Sequence, residues 1–336
     1  MQITATVPMR VDLAGGTLDV YPIYLFEGGG LTLNAAISIE ARVHLSTRKD
    51  DVITITSTDL GVQESIDSIA HLRPGGPLSM VHYALLHYLP EGGLDISIES
   101  QAPTGSGLGA SSALLMALSS ALYALAGRSL DYQRIIDTGA NIEAQVIGIP
   151  TGKQDYFPPL YGGLCAMWFE IGGWRLESLS TDRELLRLLS DRLIVSYTGV
   201  PHDSAVTNWA MLKRYIEKQG DTVARMRDIK AIALNMYSAL RNRDFCGFYR
   251  LVDSEWQLRH GLAEGVSTPE IEAVIAAGRA AGAAASKICG AGGGGCMITF
   301  AEPTQLASVK RAMEAAGARI LPANLVAEGL KLEMCD

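Results

Sequence analysis

Three glycines at alternate positions, Gly105, Gly107 and Gly109, stand between two segments of different periodicity. Before them, the stretch LDISIE (94–99) alternates apolar and polar residues and reads as a strand. After them, SSALLMALSSALYALA (111–126) is apolar all round and reads as a buried helix. Glycine tolerates φ > 0, so alternate glycines let successive backbone N–H groups converge on one anion. The N-terminus of the following helix adds unpaired N–H donors and partial positive charge. Ser111 and Ser112 can cap that helix or reach a phosphate oxygen or Mg²⁺. No Lys-Ser/Thr follows the last glycine, which excludes a Walker A loop, and the G-x-G-x-G spacing is not the dinucleotide G-x-G-x-x-G. The plain alternative is a glycine turn with a serine cap.

The rest of the chain reads as interleaved strands and helices without a regular βαβ period, so the expected class is α+β layers. ARVHLS (41–46), VITITST (52–58), LIVSY (193–197) and CMITF (296–300) read as strands. Residues 80–89, 130–146, 204–255, 269–281 and 303–316 read as helical. A chain of 336 residues suits two domains of roughly 150 residues each. The charge-rich segment TDRELLRLLSDR places the division near 185/186. Residues 1–185 then carry the phosphate loop and 186–336 carry a second glycine-rich loop at 290–295. Hydrophobic residues make up 48% and charged residues 19%, which implies a sizeable core.

The net charge of -8 argues against a nucleic-acid partner. Five cysteines show no CxxC pattern, and no stretch has the about 20 apolar residues that span a bilayer. The N-terminus lacks a basic start followed by an apolar run. The expectation is a cytoplasmic enzyme with reduced thiols, monomeric or homodimeric, with no membrane partner.

The loop PTGSGLGASSA (103–113) resembles the second motif of the GHMP kinases, the superfamily of galactokinase, homoserine kinase, mevalonate kinase and phosphomevalonate kinase. The resemblance implies ATP contacts at Pro103, Gly105, Ser106, Gly107, Leu108, Gly109, Ala110, Ser111 and Ser112. KICGAGGGGC (287–296) resembles the third motif, and PMRVDLAGGTLD (8–19) the first, with Arg10 and Asp19 at its matching ends. The motifs occur in the family's order across nearly the whole chain. They imply a two-domain GHMP kinase fold, with a ribosomal protein S5 domain 2-like N-terminal domain and a ferredoxin-like C-terminal domain.

GIPTGKQD (148–155) resembles the galactokinase segment that carries the catalytic aspartate. By resemblance, Asp155 is the general base with Arg10 beside it, and Glu143 completes a Mg²⁺ shell with Ser111 or Ser112. Asp19, Gly16, Thr17, Gly292 and Gly293 would then contact the acceptor. Gly16 and Thr17 replace the Glu-His of galactokinases, and the pattern looks closer to kinases that phosphorylate the C1 hydroxyl of a heptose 7-phosphate. Two alternatives stand beside a Mg-ATP sugar kinase. One is a mevalonate-type kinase, and the other is a family member that binds sugar without turnover, against which Arg10, Glu143 and Asp155 together argue. Tyr83 and Trp256 could pack on adenine or belong to the core. Lys153, Tyr156 and His202 lie near the motifs in sequence and can be surface or packing residues.

Overall fold

The computed structural model describes residues 1–200 and 204–335, with the side chains of 204–206 left aside, so His202 lies outside the described residues. Two β-sheets organise the chain. The first is built from β1 (Gln2–Ala14), β2 (Gly30–Thr47), β3 (Ile53–Ser57), β4 (Val62–Ile66), β5 (Leu94–Ser100), β6 (Leu164–Glu170), β7 (Gly173–Ser178) and β12 (Lys331–Cys335). Its order is β12-β1-β2-β5-β3-β4, with β6 on β2 and β7 on β6. Every pair is antiparallel except β3 with β5. The long β2 serves two partners in turn, β6 along Gly30–Ala35 and β5 along Ala41–Thr47.

β1 changes character along its length. Its first residues alternate between buried and partly exposed, while all residues from Val7 to Ala14 are buried. One face of that second half packs Met9, Val11 and Leu13 into the first core. The other face carries Arg10 and Asp12, also buried, because the second half of the molecule covers it. The register of β1 on β2 shifts between Pro8 and Met9 and again between Asp12 and Ala14, so both polar residues sit between two irregularities. Such irregularities re-aim side chains next to functional sites.

The helix α3 (Ala110–Leu125) packs on β1 and β2, flanked by α2 (Ser79–Tyr88) and α4 (Tyr132–Ile147). Two short helices, α1 (Ile23–Phe26) and α5 (Phe157–Tyr161), and α6 (Arg183–Ser190) complete this half.

The second sheet contains β8 (Leu193–Tyr197), β9 (Ala285–Ile288), β10 (Cys296–Phe300) and β11 (Arg319–Leu321) in the order β11-β8-β10-β9. All its neighbours are antiparallel, and the order is fourth-first-third-second, which is the ferredoxin-like arrangement. Between β8 and β9 run α7 (Ser204–Ile216), α8 (Thr222–Arg241), α9 (Phe245–His260) and α10 (Pro269–Ala280), and α11 (Leu306–Ala315) joins β10 to β11. The region 204–255, read as helical from sequence, is thus three helices. The fold is a two-domain α+β fold, as the sequence pattern led us to expect.

Drawn on the sheets, the first unit takes in β12 as well as the strands before residue 186. The cores interleave too. Leu18, Val20 and Ile23, from the chain between β1 and β2, pack with Ile194, Trp256 and Met297 in the second core. Conversely, Phe248, Val252, Ile298 and Phe300 belong to the first.

Candidate active site

The glycine loop leaves β5 and opens α3. Gly105, Gly107 and Gly109 have φ of 67°, 68° and 72°, a region that L side chains avoid. Gly109 is the N-cap of α3, with no side chain closing that helix end. The first-turn N–H groups therefore face the cavity in front of the loop. That cavity has a volume of about 380 Å³ and is lined by the loop, Met80, Glu143, Arg10 and Asp155, among others. Neither Tyr83 nor Trp256 lines it. Tyr83 packs against the first core and Trp256 is buried in the second, so neither is an adenine platform in this geometry.

The two serines separate. Ser112 is buried and its Oγ donates to Glu143 Oε2 at 2.9 Å, while the exposed Ser111 turns to Met80 Sδ at 3.4 Å. Tyr156, fully buried, also donates to Glu143 Oε2. Burial pushes the Glu143 carboxyl up, against the pull of the Tyr156 and Ser112 hydrogen bonds. Among the described residues no group of three or more His, Cys, Asp or Glu could hold a metal alone.

Arg10 lies between two cavities. Its Nε donates to Asp155 Oδ1 at 2.8 Å, its Nη2 is 2.7 Å from the same oxygen, and its Nη1 donates to Gly107 O. Burial works against its charge, but Asp155 and then Asp12 outweigh this and hold the guanidinium above its ordinary value. The second cavity, about 50 Å³, is lined by Arg10, Asp155, Thr17, Asp19, Gln154, Asn208, Arg259, Gly290 and Ala291, among others. Both cavities thus share the Arg10–Asp155 pair.

Asp19 is buried in the second cavity. Its Oδ2 accepts from Gln154 N at 2.9 Å, and its Oδ1 has no hydrogen-bond partner among the described residues. Burial, with Asp155 adding to it, raises its carboxyl from 3.8 to about 6. Gly152 leaves room for this carboxylate, since a Cβ there would lie 2.0 Å from Asp19 Oδ2.

Of the acceptor residues expected from sequence, Asp19 and Thr17 reach this cavity. Gly16 stands behind it with its carbonyl on Arg259 Nη2 at 3.0 Å. Gly292 and Gly293 do not reach it. Gly293 N donates to Val266 O at 2.6 Å, and a Cβ on Gly292 would meet Val266 Cγ1 at 2.6 Å. The loop offers Gly290 and Ala291 instead.

Sequence reading missed a chain of buried charges behind the site. Lys287 Nζ lies 2.7 Å from Asp12 Oδ2 and 3.0 Å from Glu255 Oε2, and Glu255 Oε1 takes Arg259 Nη2 at 2.6 Å. Asp12 Oδ1 accepts from Gly290 N at 2.7 Å. Despite burial, Lys287, Arg10 and Arg259 lower the Asp12 carboxyl to about 2. The available signal was polar residues alternating with apolar ones in a strand, R-V-D, and the E-x-x-x-R spacing that puts Glu255 and Arg259 on one helix face.

Comparison with known proteins agrees with this layout. The GHMP kinases N terminal domain family matches residues 78–163 and the GHMP kinases C terminal family matches 236–319, together just over half the chain. The chain is 26% identical over 337 residues to the D-glycero-alpha-D-manno-heptose 7-phosphate kinase of Campylobacter jejuni, covering 98% of each. It is 28% identical to the mevalonate kinase of Pyrococcus furiosus, covering 99% of each. A crystal structure of a D-glycero-D-manno-heptose 1-phosphate kinase from Bacteroides thetaiotaomicron superposes with a TM-score of 0.80 at 24% identity over 99% of both chains.

Two stability predictions come from these charges. Lys287→Met leaves Asp12 buried without its ammonium and should cost about 3–5 kcal/mol in urea unfolding. The raised Asp19 carboxyl has the opposite sign to a salt-bridged one. It is neutral in both folded and unfolded states below about pH 4, and the folded state must ionise it in a buried site as pH rises through about 6. Asp19→Asn should therefore be more stable than wild type at pH 8, by on the order of 2–3 kcal/mol, with the difference vanishing towards pH 4. Urea midpoints measured across that window check it; a constant difference would exclude a titrating Asp19.

Proposed function

This chain belongs to the GHMP kinases, phosphotransferases that act on a hydroxyl, and from that premise we propose that it transfers the γ-phosphate of ATP to a sugar. The acceptor group is the anomeric C1 hydroxyl of a heptose 7-phosphate or a related sugar. The observation that carries this reading is the pair of cavities that meet at Arg10 and Asp155, with the unpartnered Asp19 oxygen on the smaller side. A nucleotide fits the larger cavity, where the glycine loop and the α3 N-terminus offer N–H donors to phosphates. The smaller cavity then receives the reacting end of the acceptor. Asp19 suits a hydroxyl-bearing part of the acceptor, because its free oxygen needs a hydroxyl partner and an anionic group placed beside it would be repelled. The heptose-kinase relative supports the sugar class. The mevalonate-kinase relative keeps a non-sugar alcohol as the second reading.

In the proposed reaction the acceptor oxygen attacks the γ-phosphorus, its proton passes to Asp155, and the bond to the ADP leaving oxygen breaks. The transition state is loose, so positioning outweighs base strength. Arg10 orients Asp155 through its Nε and Nη2 and is anchored to the phosphate loop through Gly107 O. It also offers positive charge to the transferring phosphoryl group.

Ser112 and Glu143 fit a Mg²⁺ shell, because their oxygens lie 2.9 Å apart at the mouth of the phosphate loop and Mg²⁺ takes only one or two protein ligands beside phosphates and water. Bound there, the ion would neutralise charge on the β- and γ-phosphates. Ser111, turned to Met80, is left to the phosphates. We place the division of the chain at 185/186, with β12 returned to the first unit, and the protein in the cytoplasm. No helix among the described residues is long and apolar enough to cross a membrane.

Coupled ADP release with Mg·ATP against free sugars, sugar phosphates and mevalonate tests the reading. Turnover with a heptose 7-phosphate or another free-anomer sugar is expected, and turnover confined to mevalonate-type alcohols would overturn the sugar assignment. With the active acceptor, Asp155→Asn should lower kcat by more than about 10²-fold while ATP still binds. Near-normal turnover would remove Asp155 from the base role.

A further inference from the structure

Thr17 adopts φ 79°, a left-handed conformation that is a genuine outlier for a β-branched residue. The other non-glycine residues with positive φ, Leu89, Lys218 and Arg243, are exposed, whereas Thr17 is buried. Strain at a buried position persists only where its surroundings over-determine it.

Those surroundings come from the second unit. Arg259, on α9, donates from Nη2 to Gly16 O at 3.0 Å and from Nη1 to Thr17 Oγ1 at 3.4 Å. The Thr17 hydroxyl in turn points to Met211 Sδ on α7 at 3.8 Å. Leu18 and Val20, on either side of Asp19, are buried in the second core. Arg259 is itself aimed by Glu255, which accepts from its Nε at 3.1 Å and its Nη2 at 2.6 Å. The same guanidinium lines the acceptor cavity beside Asp19.

We propose that Arg259 is the positioning residue of the acceptor site. From the second unit it clamps the Gly16–Thr17 turn in a strained conformation, and that conformation delivers the Asp19 carboxylate to the acceptor. The proposal rests on the acceptor-site reading above for its kinetic consequence. Its structural part stands on the turn alone. The planar fork of arginine matters, because it reaches a backbone carbonyl and a hydroxyl while keeping its bonds to Glu255. A lysine would keep the charge but has no second arm.

Arg259→Lys should raise the acceptor KM about tenfold or more, while kcat at saturating acceptor and the KM for ATP change less than about twofold. Adding Thr17→Gly supplies a residue that takes φ > 0 without a clamp, and the double variant should recover most of the lost acceptor affinity. Hydrogen exchange gives a readout that needs no substrate. The amides of Leu18 and Val20, bonded to Gly15 O and Thr17 O at 3.1 and 3.2 Å, should exchange faster in Arg259→Lys and slow again in the double variant. If Arg259→Lys does not fold, Glu255→Gln, which loosens Arg259 and keeps the shape of its partner, should move both readouts in the same direction by less.

An unchanged acceptor KM in a folded Arg259→Lys, or a double variant no better than the single one, overturns the clamp. Absence of turnover with every sugar in the wild-type protein overturns the functional reading instead. In that case faster exchange in Arg259→Lys with rescue by Thr17→Gly supports the clamp, and unaltered exchange overturns it too.

Discussion

The ammonium of Lys287 holds the two halves of the molecule in register. It projects from β9 in the second sheet, is wholly buried, and meets Asp12 on β1 in the first sheet and Glu255 on α9. With Arg259 the group carries two positive and two negative charges, so burial leaves no net charge uncompensated. A buried ion group of this kind adds little stability over a hydrophobic replacement. What it adds here is a fixed relation between elements. Asp12 has one oxygen on Lys287 and the other on the N–H of Gly290, so the first residue of the third glycine loop is tied to the strand that carries Arg10.

From that tie the phosphate loop inherits its position. Cys296 N donates to Ser106 O at 2.6 Å, joining the far end of the third loop to the middle of the phosphate loop. The two backbones mate closely. A Cβ on Gly295 would lie 2.6 Å from Ser106 O, and one on Gly107 would lie 2.8 Å from Cys289 O. Contact between the loops thus requires glycine at 107 and 295. The rest of the run packs elsewhere: Gly292 and Gly293 lie against Val266, and a Cβ on Gly294 would lie 2.6 Å from Val200 O.

The difference between what sequence reveals and what it hides follows from the range of each interaction. Residues 94–126 carry their own signal. An alternating strand, three glycines and an apolar helix are local features, and β5, the φ > 0 turns and α3 appear where the pattern puts them. Motif resemblance paired Arg10 with Asp155 and Glu143 with either Ser111 or Ser112; the folded chain sets Arg10 on Asp155 and, of the two serines, Ser112 on Glu143. The charge chain was hidden because its partners are remote: Lys287 meets Asp12 across 275 residues. A lone lysine beside glycines looks like any surface lysine until the sheets are paired. The four-residue β9 is too short for a periodic signal, and β6 is buried along most of its length, which erases alternation. For Tyr83 and Trp256 the sequence left adenine platform and core both open, since an aromatic side chain has no local mark that separates them, and the fold places both with the cores.

Two carboxylates share the smaller cavity, and the proposed function gives them different work. Asp155 is bound by the Arg10 guanidinium through one oxygen, at the point where both cavities meet. Among the described residues, Asp19 has no cation within hydrogen-bonding reach; it takes one backbone N–H and leaves its other oxygen bare in a buried site. That oxygen costs free energy until a donor arrives, and an acceptor hydroxyl is a group that can relieve it. Binding then recovers a penalty already present in the fold, while the Arg10–Asp155 pair, already satisfied, keeps its geometry for the transfer step. In the proposed site the strained turn at Thr17 serves the same division, because it holds the unsatisfied carboxylate in the cavity that the phosphate loop does not line.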